Sequence, residues 1–225
     1  MSSNLSIVNL HHHQTASHPL KHTFLPDPQK CFRLLIFSPS NSGKSNLIKN
    51  LITRPDFGYA HFYKDNIFLF SPTIHIDPIW LNLDLPKTHL YDEWNEKLVE
   101  NILAFASKHS GALLVLDDMI TSSEAVNGKR GNLLKKIFYQ GRHHKVSIIL
   151  VSQKLKDVPL GMRINATHVI CFDLRNKLEE DSFLEENNYI QDLATKYHKA
   201  TTDKYNFLYI NKDEGSAFHN FESKL

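Results

Sequence analysis

The eight-residue segment Ser38-Pro-Ser-Asn-Ser-Gly-Lys-Ser45 limits the folds open to this chain more than any other feature. It matches the pattern G-x-x-x-x-G-K-[ST] at every fixed position except the first, where Ser38 stands for glycine. The apolar run 32–37 before it predicts a strand, and the pattern over 44–53 after it predicts a helix. A strand, a glycine-containing loop and a helix N-terminus in this order are typical of a phosphate-binding P-loop.

Each fixed position of a P-loop has a chemical role. The lysine binds the β- and γ-phosphates, and the following hydroxyl binds Mg²⁺. We therefore predict ATP and Mg²⁺ as cofactors, with Lys44 on the phosphates and Ser45 on the metal. Serine tolerates unusual backbone angles less well than glycine. The sequence alone therefore does not determine whether the loop has the usual P-loop backbone at Ser38. The residues predicted to line the nucleotide site are Ser38, Pro39, Ser40, Asn41, Ser42, Gly43, Lys44, Ser45 and Asn46.

Two further strand ends carry polar side chains. Asp117 and Asp118 follow the apolar run 112–116, as in a Walker B motif. We predict that Asp117 holds the hydrated metal and that Asp118 is the general base for the attacking water. Gln153 ends the apolar run 146–152, and its amide is predicted to sense the γ-phosphate because it can both donate and accept hydrogen bonds. An aspartate pair can also be a simple turn or cap, and Gln153 an exposed loop amide.

Arg142 precedes this last apolar run, and Arg163 follows it. Either could act as an arginine finger on the nucleotide of a neighbouring subunit, where it would stabilise charge on the transferred phosphoryl group. The alternative for each is a solvated or structural arginine in a salt bridge.

Further apolar runs predict strands over 66–70, 167–172 and 205–210, the last of which is expected to close the sheet. Helical patterns are predicted over 93–108, 132–140 and 178–197, and the apolar face of the first carries Trp94, Leu98, Ile102 and Phe105. The alternation of strands and helices predicts an α/β fold with a mostly parallel central sheet flanked by helices. We expect one domain over 29–225 after a flexible polar arm over 1–28. No run approaches 18 apolar residues, so no membrane span is expected. A formal net charge of only +2 excludes a basic field over the whole molecule, so any contact with nucleic acid must be local.

The combined motifs resemble the FtsK/HerA superfamily of P-loop ATPases, and within it the genome-packaging ATPases of poxviruses, other large DNA viruses, virophages and Polinton-type elements. The resemblance covers residues 32–173 and rests on Ser-Gly-Lys-Ser, the aspartate pair and the run 141–153 with Pro159, Arg163 and Asn165. It implies a RecA-like core of the ASCE type, in which an additional strand with Gln153 at its tip separates the P-loop strand from the Walker B strand. The sequence departs from the family pattern at the second Walker B acid, which is Asp118 rather than glutamate.

The resemblance also implies partners: double-stranded DNA, a homo-oligomeric ring that is expected to be a hexamer, and a viral capsid or portal-vertex protein. Location is expected in the host-cell cytoplasm or a viral factory, or on the virion. The loops offered for DNA are residues 119–131, which include Lys129 and Arg130, together with Lys135 and Lys136. Such charge runs are more often a solvated surface.

Two other classes of protein remain open. A small-molecule or nucleoside kinase also uses a P-loop, but the region 178–188, where an arginine-rich lid would be expected, is acidic. The second class is an inactive P-loop scaffold protein, in which the replacement of the first glycine by Ser38 would reflect a loss of activity. Two smaller signals are given no function: the histidines between His11 and His22, and the carboxyl-terminal Ser223-Lys224-Leu225, which matches a peroxisomal address that we take as coincidence.

Overall fold

The computed structural model describes residues 24–109, 111–121 and 131–225, and the strands of these residues form one nine-stranded sheet. The spatial order is β3-β2-β4-β5-β1-β6-β7-β8-β9. Strands β3 to β6 in this order are parallel, and β7, β8 and β9 are added antiparallel. The strands are β1 Arg33–Phe37, β2 Ile67–Phe70, β3 Leu90–Tyr91, β4 Ala112–Leu116, β5 Val146–Ser152, β6 His168–Phe172, β7 Phe207–Asn211, β8 Ser216–His219 and β9 Ser223–Lys224.

Helices cover both faces of the sheet, because successive side chains of each central strand point to opposite faces. Leu34 and Ile36 of β1 pack on the side of α1, α2 and α3, whereas Leu35 and Phe37 pack on the side of the later helices. This three-layer arrangement confirms the predicted α/β class. The helices are α1 Lys44–Thr53, α2 Tyr59–Tyr63, α3 Pro78–Leu81, α4 Glu96–Lys108, α5 Gly131–Gln140, α6 Leu160–Asn165, α7 Lys177–Glu186 and α8 Leu193–Thr201.

Strand β5 lies between β1 and β4, as the resemblance implied. Phe37 at the end of β1 is level with Ser152 at the end of β5, and Leu116 at the end of β4 is level with Leu150. Because the three strands are parallel, the chain leaves all of them at one edge of the sheet. We call this the carboxyl edge.

The end of the fold differs from the sequence prediction. A strand over 205–210 was expected to close the sheet, but β7 begins at Phe207 and two further strands, β8 and β9, follow it. The helical region expected over 178–197 consists of two helices, α7 and α8, instead of one. Short hairpin strands and a helix break are fixed by tertiary packing, which local patterns encode weakly.

Helix α4 begins at Glu96, later than the predicted Glu93, because the Asn95 side chain accepts a hydrogen bond from the Leu98 N–H and caps the helix. Trp94 therefore precedes the helix. Phe105 is 39% exposed, so it does not lie on the buried face as predicted. The buried residues of α4 are Val99, Ile102, Leu103 and Ala106.

The last residues assigned to the amino-terminal arm pack on the domain. Leu25 is buried, the Phe24 ring lies 4.9 Å from that of Phe218, and the Tyr59 hydroxyl donates to the Pro26 carbonyl at 2.9 Å. The rest of the arm, with its histidines, lies outside the described residues. Within the described ranges, no helix has the length and apolar character needed to cross a membrane.

Candidate nucleotide-hydrolysis site

The P-loop leaves β1 at the carboxyl edge and enters α1. Gly43 is the N-cap of α1 with φ +94°, and Asn41 has φ +61°. Asparagine is among the side chains that tolerate this left-handed region. A glycine N-cap offers no side chain to the N–H groups of the first turn of α1, so these donors remain available to an anion.

Ser38 does not need the backbone freedom of glycine, since its φ lies outside the left-handed region in which Asn41 and Gly43 are found. Its side chain is fully buried, and its hydroxyl makes a short contact with that of Ser42. The Ser42 hydroxyl also donates to the Pro39 carbonyl at 2.8 Å. The serine that replaces the first glycine therefore ties the loop together.

One carboxylate oxygen of Asp118 joins the P-loop to two other elements. Nζ of Lys44 lies 3.3 Å from Oδ2 of Asp118, and Nε2 of Gln153 donates to the same oxygen at 2.8 Å. Oε1 of Gln153 accepts a hydrogen bond of 3.0 Å from the Ser40 hydroxyl. Strands β1, β4 and β5 thus bring the predicted lysine, acid and sensor into direct contact.

Asp117 precedes Asp118 in the chain and is buried, with an exposure of only 3%. Its Oδ2 accepts a hydrogen bond of 3.0 Å from the Ser71 hydroxyl. Burial, reinforced by the neighbouring Asp118 charge, raises its pKa to about 6, although Lys44 and the Ser71 hydrogen bond oppose the shift. Its Oδ1 is buried and has no hydrogen-bond partner among the described residues. A buried carboxylate oxygen of this kind suits a cation or the water bound to one.

Ser71 was missed by the sequence analysis. It directly follows β2, which neighbours β4 in the sheet, so its hydroxyl reaches Asp117 at the same edge. A serine directly after an apolar run was the available signal. The predicted metal ligand Ser45 lies in the first turn of α1 and is half-buried.

Arg163 is bound within its own subunit. Its guanidinium makes two hydrogen bonds with the Glu186 carboxylate, at 2.9 and 2.7 Å, and it also donates to the carbonyls of Leu155 and Val158. Its side chain is only 12% exposed. These contacts fasten α6 to α7, so a finger role for Arg163 would require the pair to open.

Arg142 lies at the opposite edge from the P-loop. It is exposed in the short 3-10 turn Gly141–His144, which precedes β5, whereas Gln153 follows β5. Because β5 has seven residues, its two ends are separated by roughly 20 Å. Arg142 can therefore act on a nucleotide only in another subunit.

Only some of the residues predicted to contact DNA lie in the part of the chain that the structure describes. Met119 and Ile120 are buried and cannot contact DNA, which corrects that part of the prediction. Lys129 and Arg130 lie outside the described residues. On α5, Lys136 is exposed and Lys135 is half-buried.

Comparison with protein families connects this geometry to known chains. The family model described as "Poxvirus A32 protein" matches residues 27–189, a range that contains the P-loop, both aspartates, Gln153 and both candidate arginines. The chain belongs to the poxvirus A32 protein family. The predicted resemblance to viral packaging ATPases is thereby confirmed at the level of the family.

Among the proteins similar to this chain, "DNA packaging protein OPG160" of vaccinia virus (strain Copenhagen) is 29% identical over 154 residues, which are 64% of this chain and 53% of the relative. OPG160 of monkeypox virus is also 29% identical over 154 residues, or 48% of that relative. "Uncharacterized protein 075L" of invertebrate iridescent virus 6 is 24% identical over 192 residues, 79% of this chain and 69% of the relative. The chain thus spans about half the length of the OPG160 proteins it matches.

Solved structures give the same fold for this A32-family chain. B204, the DNA-packaging ATPase of Sulfolobus turreted icosahedral virus, aligns with a TM-score of 0.61 and 18% identity, covering 84% of this chain and 96% of B204. B204 from Sulfolobus turreted icosahedral virus 2, in complex with ATP-gammaS, aligns with a TM-score of 0.60 and 16% identity over 85% of this chain and 96% of that protein. At this identity the likeness confirms the RecA-like P-loop fold.

Proposed function

We propose that this chain is an ATP-driven translocase that packages double-stranded DNA into viral capsids. The observation that carries the proposal is the convergence of Lys44, Asp118 and Gln153 at the carboxyl edge, with β5 between the P-loop and Walker B strands. Membership of the A32 family and the names of OPG160 and B204 supply the packaging context.

Nucleotide binding falls to the P-loop. The first-turn N–H groups of α1 and the ammonium of Lys44 bind the β- and γ-phosphates of ATP. Since Lys44 pairs with Asp118 in the structure, the phosphates take the place of a carboxylate on Lys44. Asp118 is released by that exchange.

Mg²⁺ is part of the proposal, and the residues fit it. Ser45 and Asp117 would hold the ion, because the buried Oδ1 of Asp117 has no hydrogen-bond partner among the described residues and the Ser45 hydroxyl follows the phosphate-binding lysine. When bound, Mg²⁺ neutralises charge on the β- and γ-phosphates.

Asp118 is the general base of the proposed hydrolysis. Once Lys44 has moved to the phosphates, the Asp118 carboxylate accepts a hydrogen bond from the attacking water and orients it. The Gln153 amide holds this carboxylate at 2.8 Å and is anchored to the P-loop through Ser40. Gln153 therefore links the state of the loop to the position of the base.

The translocase would act as a homo-oligomeric ring, in our proposal a hexamer, around double-stranded DNA and against a capsid or portal-vertex protein. An exposed Arg142 suits a trans finger better than Arg163 does, because Arg163 is engaged with Glu186. Contacts with DNA are expected at phosphates, and these depend on salt and not on sequence. Lys135, Lys136, Lys129 and Arg130 are the residues we assign to them.

We propose a location in the host-cell cytoplasm or viral factory, or on the virion. The tripeptide Ser223-Lys224-Leu225 is taken up in the sheet, where Ser223 and Lys224 form β9 and the Leu225 N–H donates to the Ala217 carbonyl at 2.8 Å. The side chains of Ser223 and Lys224 are exposed, but the backbone of the tripeptide is held by the sheet, and we propose that the match to a peroxisomal address is coincidental.

The acidic region 178–188 argues against the kinase alternative. Glu179 accepts the Leu155 N–H and Glu186 pairs with Arg163, so these acids fasten α7 to its neighbours. A phosphate-closing lid needs cationic and movable side chains instead. Ser38 does not favour the scaffold alternative, because the backbone at this position does not require glycine and the serine hydroxyl contacts that of Ser42.

The deciding experiment is steady-state ATP hydrolysis with Mg²⁺, with and without long double-stranded DNA, at low and moderate salt. Lys44→Ala is the blank, and Lys97→Ala, at an exposed lysine on α4, is the matched control. We expect DNA to stimulate the wild type and Lys97→Ala, with a stimulation that fades as salt rises.

Two results would contradict the proposal. A wild-type rate equal to the Lys44→Ala blank under every condition would favour an inactive scaffold. Phosphoryl transfer to added nucleosides without any effect of DNA would favour a kinase.

A further inference from the structure

Tyr205 occupies a turn that its side chain makes unfavourable. It lies between α8 and β7 with φ +73°, in a turn in which the Asn206 N–H donates to the Asp203 carbonyl at 3.1 Å. Bulky side chains rarely adopt this left-handed conformation, whereas glycine and asparagine do so readily. The turn alone therefore gives no reason for a tyrosine.

The tyrosine ring lies against the P-loop. A Cβ atom added at Gly43 would stand 3.0 Å from Cδ1 of Tyr205, so the ring fills the space beside the N-cap of α1. Gly43 is thus favoured by its φ of +94°, and a larger residue there would also push the Tyr205 ring away by a few tenths of an ångström. The position lies at the entrance to the helix N-terminus that would bind phosphates.

The ring nonetheless remains accessible. Tyr205 is 57% exposed, although most large apolar side chains of the described chain are buried. Nζ of Lys204 lies over one face of the ring, 4.7 Å from its centroid, so the ring already makes a cation–π contact within the turn. An exposed aromatic face held beside a phosphate site is suited to a flat ligand attached to those phosphates.

We propose that Tyr205 is the platform on which the base of the bound nucleoside triphosphate stacks. The inference rests on the proposed binding of ATP at the P-loop and adds a role for a residue outside the motifs. Duplex DNA is a poorer occupant, because its bases are already stacked on one another. Stacking uses the face of the base and not its hydrogen-bonding edge, so ATP and GTP are expected to bind with affinities within a few-fold.

The test separates the base from the phosphates. Tyr205→Asn removes the ring but suits the positive φ, so its melting temperature should equal or exceed that of the wild type. Its affinity for Mg·ATP should fall about 10-fold or more, whereas that for inorganic tripolyphosphate should not change. Tyr205→Phe keeps the ring and should bind ATP as the wild type does. Tyr189→Asn, at a tyrosine that is 49% exposed, is the matched control.

The possible failures are distinct. If Tyr205→Asn binds ATP as tightly as the wild type while Lys44→Ala loses binding, the platform is wrong and the P-loop assignment stands. If ATP and tripolyphosphate weaken equally in Tyr205→Asn, the ring shapes the loop through Gly43 and does not hold the base. If the wild type binds no ATP, the proposed function fails and the platform fails with it.

Discussion

Nζ of Lys44 lies 3.3 Å from Oδ2 of Asp118, and their side chains are 12% and 23% exposed. The residue expected to bind phosphate and the residue expected to activate water therefore neutralise each other in the structure. Gln153 donates to the same carboxylate oxygen. The arrival of a nucleotide would break the pair and so prepare both groups for their roles.

This pairing leads to opposite predictions for its two members. Asp118→Asn removes a competing anion from Lys44, so ATP should bind up to about fivefold more tightly. Turnover should fall at least about 100-fold because the base is lost. Lys44→Ala should lose binding itself. Equilibrium binding of a non-hydrolysable analogue and steady-state hydrolysis measure the two effects, and an Asp118→Asn variant with wild-type turnover would refute the role of the base.

Asp117 should make the stability of the nucleotide-free protein depend on pH. Its pKa is about 6 in the folded chain and about 3.9 in an unfolded one, so between these values the folded state binds more protons. The free energy of unfolding should therefore decrease as pH rises from about 4 to 6, by up to about 3 kcal/mol from this group.

Asp117→Asn should remove this contribution. Measured by urea denaturation without nucleotide or Mg²⁺, the variant should match the wild type near pH 4 and exceed its stability at pH 7.5. The difference between the two proteins isolates Asp117 from other titrating groups. A difference that stays constant over this range of pH would contradict the assignment.

Replacement of Arg163 should mainly lower the free energy of unfolding, because its contacts lie within its own subunit. Arg163→Ala leaves the Glu186 carboxylate and two carbonyls without their donor, so we expect a loss of about 3 kcal/mol. Arg163→Lys should not restore it, because an ammonium cannot reproduce the two-pronged contact. Thermal unfolding measures the effect. An unchanged melting temperature with reduced hydrolysis would instead favour a finger.

Arg142 should act only between subunits. Arg142→Ala should keep its fold and its affinity for ATP, but the hydrolysis rate of the assembled protein should fall about 1,000-fold. Mixing Arg142→Ala with Lys44→Ala subunits should recover part of the activity, since one supplies an intact P-loop and the other an intact arginine. His143→Ala, at the exposed neighbouring residue, is the control. Absence of recovery on mixing would exclude a trans finger at Arg142.

Local patterns predicted much of the fold. Helix α1 has the predicted bounds, and strands β1, β2, β4, β5 and β6 agree within about a residue, because each is a continuous apolar run between polar breaks. On the predicted face of α4, Trp94 and Ile102 are buried and only Phe105 is exposed, whereas the start of the helix was placed too early because Asn95 is its cap. The β8–β9 hairpin was missed, since short edge strands depend on their neighbours more than on their own composition.

The sequence by itself determined which chemical groups this chain carries: a lysine and hydroxyl at a helix start, two acids and an amide at strand ends. Only the tertiary structure decided which of them meet. The Lys44–Asp118, Ser40–Gln153 and Ser71–Asp117 contacts join residues distant in the chain, and they depend on the order of β1, β2, β4 and β5 in the sheet. Hydrophobic periodicity specifies that strands are buried but not which strands are neighbours, so these partners, and the approach of Tyr205 to Gly43, arise from packing alone.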